Sequence, residues 1–292
     1  RVAARCDGVR CDMAMLVLPD VFERTWGRRG KAFWPRVTRD VRRAHPGFAF
    51  MAEVYWDLEW TLQRQGFDFT YDKRLYDRLR EGGAQTVRDH LRAGLDYQSR
   101  LARFLENHDE PRAASAFPDG AHEAAAILTF LTPGLRFFYQ GELEGRTRRV
   151  SPHLVRAPQE PVNAKLSRFY LRLLDILKHP ALRSGIWQLL DCVPAWEGSD
   201  SAAGFIAWIW HGTDGERVLT AVNFSARRGQ CFVRLPFVEP EAGHCRLTDL
   251  LGPAQYERAA ADLSARGLYL DVPAWHCHVF NVSRVGQSQG AH

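Results

Sequence analysis

The chain has 292 residues, of which 46% are hydrophobic and 25% are charged, and its formal net charge is +5. This composition excludes an intrinsically disordered chain and leaves room for one large and one small globular domain. The basic residues, nearly all arginine, are interspersed with acids, as in Asp77-Arg78-Leu79-Arg80-Glu81. This mixture predicts a solvated surface and no nucleic-acid partner.

The first half of the chain alternates between strand-like apolar runs and helical segments. The patterns predict strands at 8–15, 48–56, 67–71, 103–109 and 135–142, and helices within 20–45 and at 58–65, 73–81, 84–100 and 122–131. Alternating βα units indicate a parallel sheet with right-handed crossovers. About five such units form part of a (β/α)8 or TIM barrel, which closes with about eight.

The chain reaches its first predicted strand within about ten residues of Arg1, without an initiator Met. We therefore expect the remaining barrel strands to lie upstream, or the gene to be truncated. No run of about eighteen apolar residues is present, which excludes a transmembrane helix and predicts no membrane partner.

The second half changes to short β segments with period-two alternation, separated by turn residues. The predicted segments lie at 205–210, 218–224, 231–235, 246–251, 268–272 and 275–282. This pattern predicts an antiparallel β-sandwich. We therefore divide the chain into an incomplete barrel at 1–185, a C-terminal β-sandwich domain at 186–285 and a tail at 286–292.

The six cysteines show no C-x-x-C pair and no regular spacing, which indicates free thiols and a reducing, cytoplasmic compartment. His276-Cys277-His278 places two imidazoles on one strand face, where two metal ligands could stand. Because no third or fourth ligand is close in sequence, a pair on the sheet surface is favoured over zinc. We predict no metal and no cofactor.

Polar residues stand at the carboxyl ends of three predicted strands, where α/β barrels place their active sites. Arg10 and Asp12 are two apart and share one strand face. Glu53 is the single carboxylate in the apolar run 48–56. The apolar stretch beginning at Arg103 passes directly into Glu106-Asn107-His108-Asp109-Glu110. Such carboxylates are costly to bury unless they are paired or functional.

These segments resemble a known family. Arg10-Cys11-Asp12, Glu53-Val54-Tyr55-Trp56 and Glu106-Asn107-His108-Asp109, in this order, look like the later signature segments of the α-amylase family of glycoside hydrolases. The resemblance implies a retaining enzyme acting on α-linked glucose oligosaccharides or polysaccharides. It implies that Asp12 is the nucleophile, Glu53 the proton donor and Asp109 the transition-state stabiliser, and that Arg10 and His108 contact substrate or orient the acids.

The residues themselves allow this chemistry. Neighbouring strands lie about 4.8 Å apart, so acids at matching heights approach the separation of about 5 Å found in retaining glycosidases. We expect Arg10 to keep Asp12 ionised, and the apolar surroundings of Glu53 to raise its pKa. Aromatic residues near the strand ends, Tyr55, Trp56, Trp60 and Tyr139, suit flat sugar faces; for Trp60, in a predicted helix, we favour core packing.

Alternatives remain for each residue and for the whole chain. Arg10 and Asp12 could form an ordinary ion pair, Glu53 could be satisfied by backbone donors, and His108 could be a loop histidine. The family's first signature segment and its frequent calcium-binding excursion have no counterpart, and Met15 and Leu16 stand where a basic residue is common. A catalytically inactive chain, with open sheet edges, and an amylase-like binding protein therefore remain possible beside the enzyme.

Overall fold

The computed structural model describes residues 1–117, 120–151 and 153–285, so the predicted tail at 286–292 lies outside the described residues. The chain divides into two compact units. The first comprises Arg1–Asp77, Ala93–Phe104 and Pro133–Phe137, and the second comprises Arg78–Arg92, Leu105–Thr132 and the chain from Phe138 onward. The boundary near residue 185, drawn from the sequence pattern, stays a prediction.

A parallel sheet forms the centre of the first unit. Among the described residues it has five strands in the order β1-β2-β3-β4-β5. The strands are β1 (Gly8–Cys11), β2 (Ala49–Ala52), β3 (Phe69–Tyr71), β4 (Leu101–Arg103) and β5 (Leu135–Arg136). All neighbouring pairs are parallel, which confirms the predicted partial (β/α) barrel.

Helices alternate with these strands along the chain. They are α1 (Pro19–Trp26), α2 (Trp34–Ala44), α3 (Glu59–Arg64), α4 (Lys73–Glu81), α5 (Ala84–Leu91), α6 (Leu95–Gln98), α7 (Ala113–Ala116) and α8 (Ala121–Phe130). Proline in the first turn helps to begin α1 and α2, because its fixed φ suits that position and the missing N–H is not needed there. Gly27, at a φ of 67°, ends α1 in the left-handed conformation.

The structure corrects several of the predicted elements. The strand predicted at 8–15 ends at Cys11, and the strand predicted at 135–142 ends at Arg136. The segment 20–45 holds two helices, α1 and α2, and the single helix predicted at 84–100 is broken between α5 and α6, where Gly94 is extended. The strand expected to run from Arg103 toward Asp109 instead ends at Arg103. Phe104 and Leu105 are buried beyond the strand end, and burial alone produced the apolar pattern.

The close approach of β1 to β2 fixes the register of the first two strands. Gly8 pairs with Ala49, and a Cβ atom at Gly8 would lie 2.7 Å from the Ala49 carbonyl oxygen. Because only glycine fits at this contact, the strands are held in one alignment that pairs Cys11 with Ala52. A core of buried apolar residues, including Met15, Phe50 and Leu62, packs around these strands.

The second unit contains the antiparallel β structure that the alternating pattern predicted. Its strands are β6 (Ile186–Leu190), β7 (Cys192–Pro194), β8 (Phe205–His211), β9 (Arg217–Asn223), β10 (Gly229–Val233), β11 (His244–Asp249), β12 (Gln255–Ala259), β13 (Leu268–Val272) and β14 (Cys277–Arg284). The described strands form one sheet in the order β12-β11-β14-β9-β8-β6 and another in the order β13-β10-β7. Inward residues of both sheets build one core, as in a β-sandwich.

Three further helices belong to this unit: α9 (Ala164–Ile176), α10 (Pro180–Ser184) and α11 (Ala260–Arg266). The side chain of Asn163 caps α9 by accepting the backbone N–H groups of Lys165 and Leu166. Strand β8 is buried on both faces. Phe205 faces the sandwich core, whereas the indoles of Trp208 and Trp210 donate to the Leu131 carbonyl just after α8, at 3.1 and 2.7 Å.

Candidate active site

The register of β1 and β2 places Asp12 and Glu53 side by side. Cys11 and Ala52 are paired across the two strands, and Asp12 and Glu53 are the next residue of each. The carboxyl ends of parallel strands meet at one edge of a sheet, so both acids stand at the edge where barrel enzymes place their chemistry. The sequence alternation alone predicted this juxtaposition.

Arg10 connects the two carboxylates. Its Nη1 atom lies 2.6 Å from Asp12 Oδ1, and its Nη2 atom lies 3.0 Å from Glu53 Oε2. A planar guanidinium presents its donors in a fixed fork, so the two acids are held at a defined separation by one side chain. The expected pairing of Arg10 with Asp12 is present, and Arg10 in addition pairs with Glu53.

The two acids differ in their surroundings. The side chain of Asp12 is 77% exposed, whereas that of Glu53 is only 5% exposed. Glu53 Oε1 accepts the hydroxyl of Tyr55 at 3.0 Å, and Oε2 accepts the backbone N–H of Met13 at 2.8 Å. One carboxylate therefore faces solvent, while the other is held by two hydrogen-bond donors and the ion pair with Arg10, and this difference suits two acids with two roles.

Strained backbone lies directly beside both acids. Met13, Trp56 and Asp57 have φ values of 42°, 63° and 62°, in the left-handed region that residues with a Cβ rarely occupy. Asp57 is held by an ion pair with Arg74. Strained positions of this kind persist only where the surrounding structure compensates their energetic cost. They cluster at functional sites.

Tyr71 also belongs to this cluster, although it was not among the site residues predicted from the sequence. Arg10 Nε donates to the Tyr71 hydroxyl at 3.3 Å, and the guanidinium carbon lies 5.6 Å from the ring centroid. Tyr71 ends strand β3, which lies between β2 and β4 in the sheet. The strand-end rule that selected Asp12 and Glu53 would have selected Tyr71 as well.

Exposed indoles lie in the same unit. Trp56 is 60% exposed, and Trp60 is 42% exposed, with its ring 6.1 Å from that of Tyr97 in an edge arrangement. The assignment of Trp60 to the core was therefore wrong. The first turn of α3 leaves this side chain on the surface, because the buried positions of that helix are Glu59, Leu62 and Gln63.

His108 and Asp109 lie in the second unit, whereas Arg10, Asp12, Glu53 and Tyr55 lie in the first. His108 Nε2 is 3.0 Å from Asp109 Oδ2. The turn that carries them is built by Asn107, whose Oδ1 accepts the backbone N–H groups of Asp109 and Glu110 at 2.8 and 3.0 Å. The approach of Asp109 to the two strand-end acids stays a prediction.

The base of this turn is closed by a buried ion pair. Glu106 Oε1 lies 2.8 Å from Arg112 Nη1, and Glu106 Oε2 accepts the backbone N–H of Ala113 at 2.6 Å. Arg112 also donates to the Gln140 carbonyl at 2.8 Å. Burial raises the pKa of Glu106 to about 7, although the Ala113 N–H and Arg112 oppose this shift. The segment 106–113 is thereby held at both ends.

A second buried carboxylate lies near this pair. Tyr170 donates to Glu142 Oε1 at 3.0 Å, and His122 Nε2 lies 2.8 Å from the Tyr170 hydroxyl. Burial, with a further contribution from Glu106, raises the pKa of Glu142 to about 8. Burial also lowers the pKa of His122 to about 4. Because the members are far apart in sequence, no local pattern indicated this network.

The histidine pair at 276 and 278 is not arranged as a metal site. The His278 Nδ1 atom lies 2.7 Å from Asp249 Oδ2, so that ring is already engaged. Within the part of the chain that the structure describes, no group of three or more His, Cys, Asp or Glu side chains could hold a metal ion. The six cysteines are free thiols. No helix among the described residues is long and apolar enough to cross a membrane.

Comparison with solved structures connects this arrangement to a known fold. The α-amylase of Geobacillus thermoleovorans complexed with acarbose is 18% identical, with a TM-score of 0.68 over 96% of this chain and 60% of that one. The debranching enzyme of Nostoc punctiforme is 19% identical, with a TM-score of 0.66 over 96% of this chain and 58% of that one. The maltogenic α-amylase of Thermotoga neapolitana is 16% identical, with a TM-score of 0.68 over 96% and 62%.

The fold is therefore that of part of an α-amylase-family structure, as the resemblance of the strand-end segments implied. The chain spans about 60% of the length of the structures it matches. No protein-family model and no curated protein sequence matches the chain.

Proposed function

We propose that this chain carries the catalytic acids of a retaining α-glucoside hydrolase or transglycosidase that acts on α-linked glucose oligosaccharides or polysaccharides by double displacement. The observation that carries the proposal is the bridge from Arg10 to Asp12 and Glu53, at matched positions on neighbouring parallel strands. An exposed carboxylate beside a buried one is the arrangement that a nucleophile and an acid/base catalyst require.

In the first step, an Asp12 oxygen attacks the anomeric carbon while Glu53 gives its proton to the departing glycosidic oxygen. The C–O bond to the leaving group breaks as the glycosyl ester with Asp12 forms. In the second step, Glu53 takes a proton from water or from a sugar hydroxyl, whose oxygen displaces Asp12. Arg10 balances the negative charge of Asp12 before attack and after release.

The remaining residues have supporting roles in this proposal. Asp109 would stabilise the oxocarbenium-like transition state and His108 would contact the sugar, which requires segment 106–113 to present both toward Asp12 and Glu53. The ion pair between Arg112 and Glu106 supports this role because it holds the base of that segment. Tyr55 orients Glu53 through its hydroxyl. The chemistry requires no cofactor, and six free thiols are compatible with the cytoplasm.

Trapping of the glycosyl-enzyme tests the proposal. A fluorinated α-glucosyl fluoride, which forms the ester faster than it is hydrolysed, should add one glycosyl unit to a peptide that contains Asp12. Asp12→Asn should abolish the adduct because an amide oxygen is a poor nucleophile. Asp20→Asn is the matched control, since Asp20 is an exposed acid on α1. An adduct on the Asp12→Asn protein, or on another residue in the wild-type protein, would refute the assignment.

A second candidate function is binding of α-glucan without cleavage. It is favoured by the exposed indoles of Trp56 and Trp60, whose flat faces suit sugar rings independently of the acids. The same experiment separates the two functions. If the wild-type protein binds maltooligosaccharides but forms no adduct and releases no product, binding is the function and catalysis is excluded.

A further inference from the structure

A cavity of about 340 Å³ lies within the second unit beside helix α9. This volume falls at the lower end of the range for small-molecule sites, which suits a ligand of monosaccharide size rather than a polymer. Its walls come from α8, α9, the loop after β11 and the segment that enters β14. The lining residues are Glu123, Lys165, Arg168, Phe169, Arg172, Asp249, Leu251, Gly252, Trp275, His276 and Cys277.

The charged groups of the cavity leave an excess of positive charge. Lys165 Nζ lies 3.1 Å from Glu123 Oε1, so these two charges neutralise each other. Asp249 is also engaged, because its oxygens accept His278 Nδ1 at 2.7 Å and the backbone N–H groups of Leu251 and Val279 at 3.0 and 3.1 Å.

Two guanidinium groups remain available to a ligand. Arg172 donates through Nη1 to the Leu251 carbonyl, which holds the side chain in place. Its other guanidinium nitrogens can donate to a ligand. For Arg168 the described residues provide no hydrogen-bond or ion-pair partner, and its side chain is exposed. The two residues are four apart on α9 and therefore stand on one helix face. Paired guanidinium groups bind phosphate and carboxylate well, because each presents parallel N–H donors.

The cavity also has an aromatic wall. Phe169 and Trp275 line it, and the Trp275 ring is held at 5.1 Å from that of Phe224 in an edge arrangement. Trp275 has a φ of 58°, a strained value for a residue with a Cβ, and its backbone N–H is fixed to the Ser225 carbonyl at 3.1 Å. Strain of this kind is found where a side chain is positioned for a function.

We infer that this cavity binds a monosaccharide that carries one anionic group, phosphate or carboxylate, with the anion on Arg168 and Arg172 and the ring against Trp275. The inference goes beyond the proposed catalysis. It names a second site whose lining includes none of Asp12, Glu53 and Asp109, and its test is a binding measurement. Failure of either proposal leaves the other standing.

Isothermal titration calorimetry at low salt tests the inference with four probes: glucose 6-phosphate, glucuronate, glucose and inorganic phosphate. Glucose 6-phosphate or glucuronate should bind, and the tighter of the two identifies the preferred anion. Arg168→Ala and Arg172→Ala should each weaken that binding about tenfold or more. Arg183→Ala, which removes an exposed arginine of α10 outside the cavity lining, should leave it unchanged. Added salt should weaken the binding of the anionic probe.

Several results would overturn the inference. Glucose binding as tightly as its anionic analogues would show that the arginines select nothing. Inorganic phosphate binding as tightly as glucose 6-phosphate would show that the aromatic wall contributes nothing. Absence of binding of both anionic sugars at about 10 mM would show that the cavity is not a site for this class. Circular dichroism of the arginine variants should match the wild type, because both residues lie on the surface of α9.

Discussion

Two of the arginine–carboxylate clusters that follow strand ends in this chain differ in their access to solvent. In the first unit, Arg10 is 25% exposed and bridges Glu53 to Asp12, which is 77% exposed. In the second unit, Arg112 and Glu106 are 4% and 1% exposed. An open pair can receive a substrate and costs little to form in water. A closed pair is not accessible to a substrate, so its role is to hold the surrounding chain in place.

The comparison shows why an ion pair alone does not indicate an active site. Both clusters join an arginine to a glutamate at about 3 Å. Only the first leaves an oxygen of a second carboxylate facing outward, beside strained backbone at Met13. In the second cluster, Arg112 donates to the Gln140 carbonyl and Glu106 accepts the Ala113 N–H, so both side chains are bound to the chain's own backbone. We therefore assign chemistry to the first cluster and positioning of segment 106–113 to the second.

Removing the arginine of each cluster should give the largest contrast. Arg112→Met leaves Glu106 buried without its cation, so we expect a loss of about 3 to 5 kcal/mol in the free energy of unfolding. Arg10→Met should lower it by less, about 1 to 2 kcal/mol, because Asp12 is exposed and the buried Glu53 keeps the Tyr55 hydroxyl and the Met13 N–H as donors. The same change should abolish most of the catalytic activity. Urea unfolding monitored by tryptophan fluorescence measures both variants. Equal losses of stability would contradict the distinction between open and closed clusters.

The pH dependence of stability should reveal Glu142, the buried carboxylate near the second cluster. Glu142 has an ordinary pKa of 4.5 that rises to about 8 in the fold. The folded state therefore keeps a proton that the unfolded chain releases between these values. The stability contribution is complete below about pH 4.5 and is lost as the pH rises through about 8. The decrease should be on the order of a few kcal/mol, since one pKa unit corresponds to about 1.4 kcal/mol.

Glu142→Gln should make this decrease shallower. The amide stays neutral at every pH and, like the protonated acid, offers one acceptor oxygen and one donor group. Its oxygen can accept the Tyr139 N–H, and its NH2 group, in place of Oε1, can donate to the Tyr170 hydroxyl after that hydroxyl rotates. Unfolding midpoints measured from pH 5 to 9 give the slope, and Glu197→Gln, at an exposed position, is the control. A variant with the slope of the wild type would show that another group carries the titration. Glu106, whose pKa rises to about 7, is the next candidate.

The open cluster was predictable from sequence, whereas the network of Glu142, Tyr170 and His122 beside the closed cluster was not, for physical reasons. Arg10, Asp12 and Glu53 follow from strand alternation and from the parallel pairing that brings neighbouring strand ends together. Glu142, Tyr170 and His122 meet only through the packing of segments far apart in the chain.

The predicted elements failed where tertiary contacts outweigh local pattern. Strands β6, β7 and β12 were missed, since they contain proline, glutamine or several charged residues and gain their stability from the neighbouring strands. The predicted helix at 84–100 continued through Gly94 because its apolar spacing is unbroken there. Buried Phe104 and Leu105 extended the predicted strand in the same way. An apolar pattern indicates that residues are buried, and a buried residue need not be paired with a neighbouring strand.

The smallest effect concerns Tyr71, which connects the open cluster to strand β3. Tyr71→Phe removes the hydroxyl that accepts Arg10 Nε at 3.3 Å and keeps the ring beneath the guanidinium. A hydrogen bond of this length is worth about 0.5 to 1.5 kcal/mol, so kcat/KM for an α-glucoside should fall about three- to tenfold. Tyr269→Phe, at an exposed position of β13, is the control. A loss as large as that of Arg10→Met would mean that the hydroxyl acts on the substrate itself, and no loss would mean that the two carboxylates alone fix Arg10.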